Sequence, residues 1–239
     1  MKILAIECSA SPASVAILDG NKLLANAFVN VKLTHSQTLM PMIESTLKAA
    51  KININDIEGF AISNGPGSFT GVRIGISAVK GLAAAKKLPC AAVSTLYAMA
   101  QSYCDTDCIV CAVMDARCNQ FYNALFDIEN GKITRLCDDR ALLGNELLEE
   151  IKKLSQSQHK CVIIVGDGAA LFYKTACDIK NVKMAHQSRE FQNAVGVGYA
   201  AIESFQKGEI LSPSELLPFY LRLPQAEREL KMKKENEKS

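Results

Sequence analysis

The chain has 239 residues, of which 49% are hydrophobic and 22% charged, enough for one large domain or two smaller ones with an ample core. A formal net charge of +2 gives no sign of a nucleic-acid or membrane-surface binder, and no apolar run approaches the roughly 18 residues of a membrane span. Nine cysteines, an odd number, follow a Met1-Lys2 start that leads straight into a strand-like run, so reduced thiols and a cytoplasmic location are expected.

In chain order, Lys2 to Ile6 reads as a strand ending at Glu7 and a small-residue turn, Cys8-Ser9-Ala10-Ser11-Pro12. Ser14 to Leu18, the hairpin signal Asp19-Gly20, and Lys22 to Val29 give a second and third strand. Leu39, Ile43, Leu47 and Ala50 form one apolar face of a helix over about 36–50, with Thr34, Ser36 or Thr38 as its cap. Pro41 fits that helix only in its first turn. A strand at Gly59 to Ser63 enters Gly65-Pro66-Gly67-Ser68-Phe69-Thr70-Gly71-Val72-Arg73-Ile74-Gly75, followed by a helix from about Val72 to Leu88. A strand, a glycine turn and a helix N-terminus in that order make an anion-binding geometry, or a plain tight connection. Ala91 to Val93 is a short strand and Thr95 to Tyr103 a further helix.

From Cys108 the order begins again: a strand to Met114 tipped by Asp115, the turn Ala116-Arg117-Cys118-Asn119, a strand over Phe121 to Ile128, the hairpin signal Asn130-Gly131, and a strand over Lys132 to Cys137. A helix around Glu146 to Leu154, a strand at Cys161 to Val165 and a second glycine turn, Gly166-Asp167-Gly168, complete the repeat. A duplicated α/β unit follows, with two lobes, each a mixed sheet flanked by helices, facing each other across a cleft. That is the plan of the actin, sugar-kinase and Hsp70-like (ASKHA) folds. Residues 1–104 are read as the first lobe and 105–224 as the second, which a helix over about Phe191 to Gln206 closes. The charged stretch 225–239 is read as a solvated tail.

Gly65 to Gly75 resembles the signature of the TsaB (YeaZ) family. Ile3 to Ser9, His35-Ser36 with Leu39 and Pro41, Asp115-Ala116-Arg117 and Pro218-Phe219-Tyr220-Leu221-Arg222 resemble other segments of that family, in order along nearly the whole chain. The resemblance implies a degenerate paralog of TsaD, the subunit that carries the catalysis. TsaD-like chains bind metal through two histidines, which by position fall on Thr95 and Met99 here. Neither is a useful ligand for a hard or borderline cation. The turn after Glu7 lacks the glycine that such ATPases use against a phosphate, and Leu171 stands where TsaD-like chains have a polar residue.

What the resemblance implies is a non-catalytic subunit that binds TsaD, helps recruit the ATPase TsaE, and supports synthesis of N6-threonylcarbamoyladenosine (t6A) at position 37 of tRNAs reading A-starting codons. No metal or resident cofactor is expected. ATP or ADP would bind weakly at most, at a complex interface, with Gly65, Gly67, Ser68, Thr70, Gly71, Arg73, Gly166 and Gly168 as the anion site. Contact with tRNA would be indirect, through the complex, and none with a membrane is expected. His35, Leu39, Met42, Thr46, Gly71, Gly75, Ala78, Gly81 and Leu82 are the expected partner interface, for TsaD or a second copy, because the two helices carry more small and apolar surface than one core face needs. The alternative is an independent ATPase or glycoprotease-like metallopeptidase, against which the missing ligand pair argues.

Among the other candidates, Cys108-Ile109-Val110-Cys111 has zinc-knuckle spacing but lies in a strand, where residues three apart point to opposite faces. His35, His159 and His186 stand in no ligand spacing, and no histidine is placed to activate Ser68 or Thr70. Arg73 is read as pairing with a cleft acid or reaching an anion.

Overall fold

The two sheets carry one strand order twice. In the computed structural model, which describes residues 1–31, 33–157 and 160–222, the strands are β1 (Lys2–Glu7), β2 (Ala13–Asp19), β3 (Lys22–Val29), β4 (Gly59–Gly65) and β5 (Cys90–Ser94), then β6 (Cys108–Asp115), β7 (Gln120–Glu129), β8 (Lys132–Arg135), β9 (Arg140–Leu143), β10 (Cys161–Val165) and β11 (Val182–Met184). The first sheet runs β3-β2-β1-β4-β5 and the second β8-β7-β6-β10-β11, with β9 continuing the β8 edge against β7. In each lobe the central strand pairs antiparallel with the next one and parallel with the strand that enters the glycine turn. The repeated order expected from the sequence is therefore a repeat in space.

The helices are α1 (His35–Ala50), α2 (Phe69–Ala84), α3 (Thr95–Gln101), α4 (Gly144–Ser157), α5 (Ala169–Ala176) and α6 (Ala194–Lys207). Strand alternation sends Leu4, Ile6, Phe60 and Ile62 toward α1 and α2, and Ile3, Ala5, Ala16, Ala61 and Ala91 to the other face. That second face is small because α6 lies on it, with a Gly198 whose missing side chain makes room for Leu18. In the second lobe Val110, Ala112 and Phe126 pack with Leu96 and Met99 of α3, whereas Ile109, Val113 and Ile164 pack with α4 and α5. The order of layers is thus α1/α2, first sheet, α6/α3, second sheet, α4/α5.

Three expectations change. Helix α6 was expected to close the second lobe, yet its buried side chains meet β1, β2, β4 and β5. The chain then stays with the first lobe: Leu211 exchanges backbone hydrogen bonds with Cys90 at 2.8 Å each way, and Leu216 is buried in the α1/α2 core. Pro41 lies well inside α1 rather than in its first turn. Its ring has no N–H, so it leaves a carbonyl one turn earlier without the usual helical donor on the exposed side. Helix α2 starts at Phe69, not Val72, because the Ser68 hydroxyl caps it by accepting from Gly71 N–H at 3.2 Å. Cys108 and Cys111 do point to opposite faces of β6. The charged stretch 225–239 and His159 lie outside the described residues.

Candidate functional site

The C-terminal ends of the central strands open into a cleft of about 820 Å³ between the lobes, the position where open α/β sheets bind ligands. Ser9, Gly67, Ser68, Thr70, Gly71 and His35 line one side, and Asp115, Arg117, Tyr122 and Asp167 the other. The two acid-tipped strands end alike: Glu7 Oε1 accepts from Ser9 N–H at 2.6 Å, and Asp115 Oδ1 accepts from Arg117 N–H at 2.7 Å. Their settings differ, since Glu7 is 1% exposed and Asp115 lies open in the cleft.

The glycine loop is filled by the protein itself. Gly65 has φ +125°, and a Cβ there would run into the carbonyl oxygen of Phe219. Gly71 and Gly75 are pressed against Cys8. Ser68 N–H donates to Ser9 O at 2.6 Å and Val72 N–H to Ser68 O at 2.9 Å. Several N–H groups that would cradle a phosphate are thereby engaged. The second turn is similar: Gly166 N–H donates to Glu190 O at 2.7 Å and Gly168 N–H to Val113 O at 3.3 Å, and neither glycine lines the cleft. Of the expected anion site, Gly67, Ser68, Thr70 and Gly71 face the cleft.

Arg73 pairs with no acid among the described residues. Its guanidinium lies 3.7 Å above the Phe69 ring, and Nε donates to the Tyr220 hydroxyl at 2.8 Å. Tyr220 itself stacks on Phe69 with centroids 4.7 Å apart. This belongs to a strap, residues 217–222, that crosses the loop. Phe219 N–H donates to Asn64 O at 2.7 Å, Asn64 Nδ2 to Leu217 O at 3.2 Å, and Arg222 Nη1 reaches Ala116 O of the other lobe at 2.7 Å.

His35 donates from Nε2 to Ala10 O at 2.8 Å, which makes it a helix-entry residue and commits the only histidine among the described residues that line the cleft. Ser68 Oγ is committed to its cap, so neither Ser68 nor Thr70 is set up as a nucleophile. Burial pushes the Cys8 thiol well above its ordinary range, which removes it as well. Leu39, Met42 and Thr46, placed in a partner interface from the sequence, are buried inside the first lobe, as are Gly71 and Gly75. Among the residues α1 and α2 turn outward, Met40, Pro41, Ala49 and Gly81 are apolar or small, between the exposed Gln37, Glu44, Lys48, Arg73 and Ser77, with Ala78 and Leu82 half-buried at the edge. Val31 and Leu33 are exposed just before α1. Thr95 and Met99 are buried, 0% and 2% exposed, between the sheets.

Two buried acids, Asp167 in the cleft lining and Glu7 at the end of β1, escaped the sequence-level site. Burial raises the Glu7 carboxyl above the ordinary range; the nearby Ser9 and Ser63 hydroxyls oppose the rise and the charge of Asp167 adds to it. Asp167 is raised from 3.8 to about 6 by burial, with Gln192 opposing through a 2.8 Å bond from Nε2 and Asp115 reinforcing. The signals available were the acidic end of β1 and the Asp between Gly166 and Gly168; nothing in the sequence points to Gln192.

Two lobes of one strand order, joined around a cleft at the ends of their central strands, make this a protein of the actin, sugar-kinase and Hsp70-like fold. A family model described as TsaD, tRNA N6-adenosine threonylcarbamoyltransferase, matches residues 23–229. The tRNA threonylcarbamoyladenosine biosynthesis protein TsaB of Bacillus subtilis is 29% identical, over 95% of this chain and 96% of its own. That of Buchnera aphidicola subsp. Schizaphis graminum is 32% identical over 70% and 78%. The solved structure of YeaZ from Pseudomonas aeruginosa superposes with a TM-score of 0.78 at 26% identity, covering 92% of this chain and 99% of that one. The chain belongs to the TsaB family, within the wider TsaD-type group. Among the described residues, no helix is long and apolar enough to cross a membrane.

Proposed function

We propose that this chain is a non-catalytic subunit of the machinery that installs t6A at position 37 of tRNAs reading A-starting codons. In this reading it binds and supports TsaD, helps recruit the ATPase TsaE, and meets tRNA through the complex in the cytoplasm. The names of its relatives support the pathway. The observation that carries the non-catalytic role is the burial of Thr95 and Met99 in the apolar layer between the sheets, at the positions where the resemblance places metal ligands of catalytic chains. Side chains so placed hold no metal against a substrate in the cleft. The occupied glycine loop agrees, since a chain whose own carbonyls press against its loop binds a nucleotide weakly at most.

The outward side of α1 and α2, where Met40 is 48% exposed and Gly81 is open, is the surface offered to TsaD or, in isolation, to a second copy. The test is a reconstituted t6A assay with TsaD, TsaE, tRNA and the activated threonylcarbamoyl donor, run with and without this chain. Modified adenosine should form only when the chain is present, and the chain should co-purify with TsaD. Undiminished t6A in its absence, or metal-dependent ATP turnover by the chain alone, overturns the proposal.

A further inference from the structure

Away from the cleft, two thiols of the second lobe stand side by side. Strands β6 and β10 run parallel, and their first residues, Cys108 and Cys161, are paired in register. Paired residues of a parallel ladder send their side chains to the same face, and successive residues alternate between faces. Here the shared face is the apolar layer beneath α3. Cys108 is buried there with Val110, and Ile163, two residues along from Cys161, packs against the same cluster. Cys111, by contrast, is turned to the other face with Ile164. Both thiols of the pair are free.

The register suits a covalent link. Neighbouring strands lie about 4.8 Å apart, inside the span of about 4.4–6.8 Å that disulfides leave between Cα atoms. Closing the bond draws the Cβ atoms to about 3.8 Å, a small inward movement. Both residues open their strands, where the ladder is held from one direction only, and this is the end away from the cleft. The two thiols differ in access. Cys108 is 0% exposed, and burial pushes it up to about 12, whereas Cys161 is half-buried. Cys161 is therefore the thiol that an outside reagent meets, and Cys108 the one placed to attack it afterwards.

We propose that Cys108 and Cys161 are a reversible redox pair, closed by exchange with a small-molecule disulfide such as oxidised glutathione. The Cys161 sulfur attacks one glutathione sulfur, the glutathione S–S bond breaks, and the departing thiolate takes up the proton that Cys161 has lost. The Cys108 sulfur then attacks the Cys161 sulfur of the mixed disulfide, and the second glutathione leaves with the Cys108 proton. Two protein thiols are oxidised to one disulfide, and one glutathione disulfide is reduced to two thiols. The bond links the starts of β6 and β10 across a loop of about 50 residues, stapling the second lobe at the end away from the cleft.

The full chain, reduced with dithiothreitol and desalted, is held with oxidised glutathione under native conditions and followed by intact mass and non-reducing peptide mapping. The expected product is lighter by about 2 Da, the two thiol hydrogens, and yields one cross-linked peptide pair holding Cys108 and Cys161. Dithiothreitol should reverse it fully. Cys108→Ser should stop at a glutathione adduct on Cys161, and Cys161→Ser should lose both the adduct at that position and the cross-link. Because position 161 is half-buried, Cys161→Ser keeps the test decisive if Cys108→Ser fails to fold. Cys104→Ser should leave the cross-link unchanged. No cross-link in the native chain, a cross-link that forms only in urea, one that survives in Cys161→Ser, or a wild-type reaction that ends at the Cys161 adduct overturns the proposal.

Discussion

The strap over the glycine loop can be weighed with a double-mutant cycle. Tyr220→Phe deletes only the hydroxyl that accepts from Arg73 Nε at 2.8 Å and leaves the ring stacked on Phe69. A buried bond to a charged group contributes about 1.5–3 kcal/mol, but Arg73 is exposed, so about 0.5–1 kcal/mol is expected here. Arg73→Ala removes the same bond and the guanidinium above Phe69, a cation–π contact of about 0.5–1 kcal/mol at an exposed site. Its total is about 1–2 kcal/mol, a fall in melting temperature of roughly 2–4 °C per kcal/mol for a chain of this size. The cycle therefore predicts a coupling of about 0.5–1 kcal/mol between the two positions. Urea unfolding of the four proteins, followed by far-UV circular dichroism with a common slope, measures it. Additivity within about 0.3 kcal/mol would show that the strap does not bind through this contact.

Gly65→Ala should cost at least about 2 kcal/mol, because φ is +125° and the new Cβ meets the Phe219 carbonyl. Gly81→Ala, with nothing within 4 Å among the described residues, should instead stabilise α2 by about 0.5–1 kcal/mol in the same melts. Stability should fall as pH rises from about 4 to about 6: Asp167 titrates near 6 when folded and near 3.8 unfolded, so the folded chain binds the extra proton in that window and loses its advantage above it. Asp167→Asn should flatten that slope, and an unchanged pH profile would contradict the assignment. Met40→Glu, on the outward side of α1, should abolish self-association and capture of TsaD in light scattering and pull-down, with the melting temperature unchanged. Met42→Glu, buried one turn-face away, should unfold the chain. Intact association of Met40→Glu refutes the surface.

The fold was legible because its signals are local and occur twice. Asp19-Gly20 and Asn130-Gly131 mark hairpins, and Glu7 and Asp115 close strands that alternation then buries on both faces. Strands β9 and β11 were missed, being four and three residues long with little periodicity to show. Helix α6 was assigned to the wrong lobe because chain order carries no information about which sheet a helix covers. The clue was in two distant stretches: the glycines and alanines of α6 match Ala5, Ala16, Ala61 and Ala91, and the match is visible only once those strands share a face. The outward side of α1 was misjudged by one face, since apolar surplus alone does not say which residues the sheet takes. At the site, the glycine loop was plain, but its filling by Cys8, Ser9 and Phe219 depends on contacts across long stretches of chain.

The return of α6 to the first sheet has a consequence for the order in which the protein can be made. When the ribosome has released residues 1–94, the first sheet has α1 and α2 for one face and nothing for the face that presents Ile3, Ala16, Leu18 and Ala61. The missing cover is encoded about a hundred residues later, after the second lobe. During synthesis the second lobe, contiguous in sequence from β6 to β11, can close first, while the half-covered first sheet waits with apolar surface open to chaperones. A nascent chain arrested before Ala194 should bind a chaperone through its N-terminal half, and release it once α6 emerges.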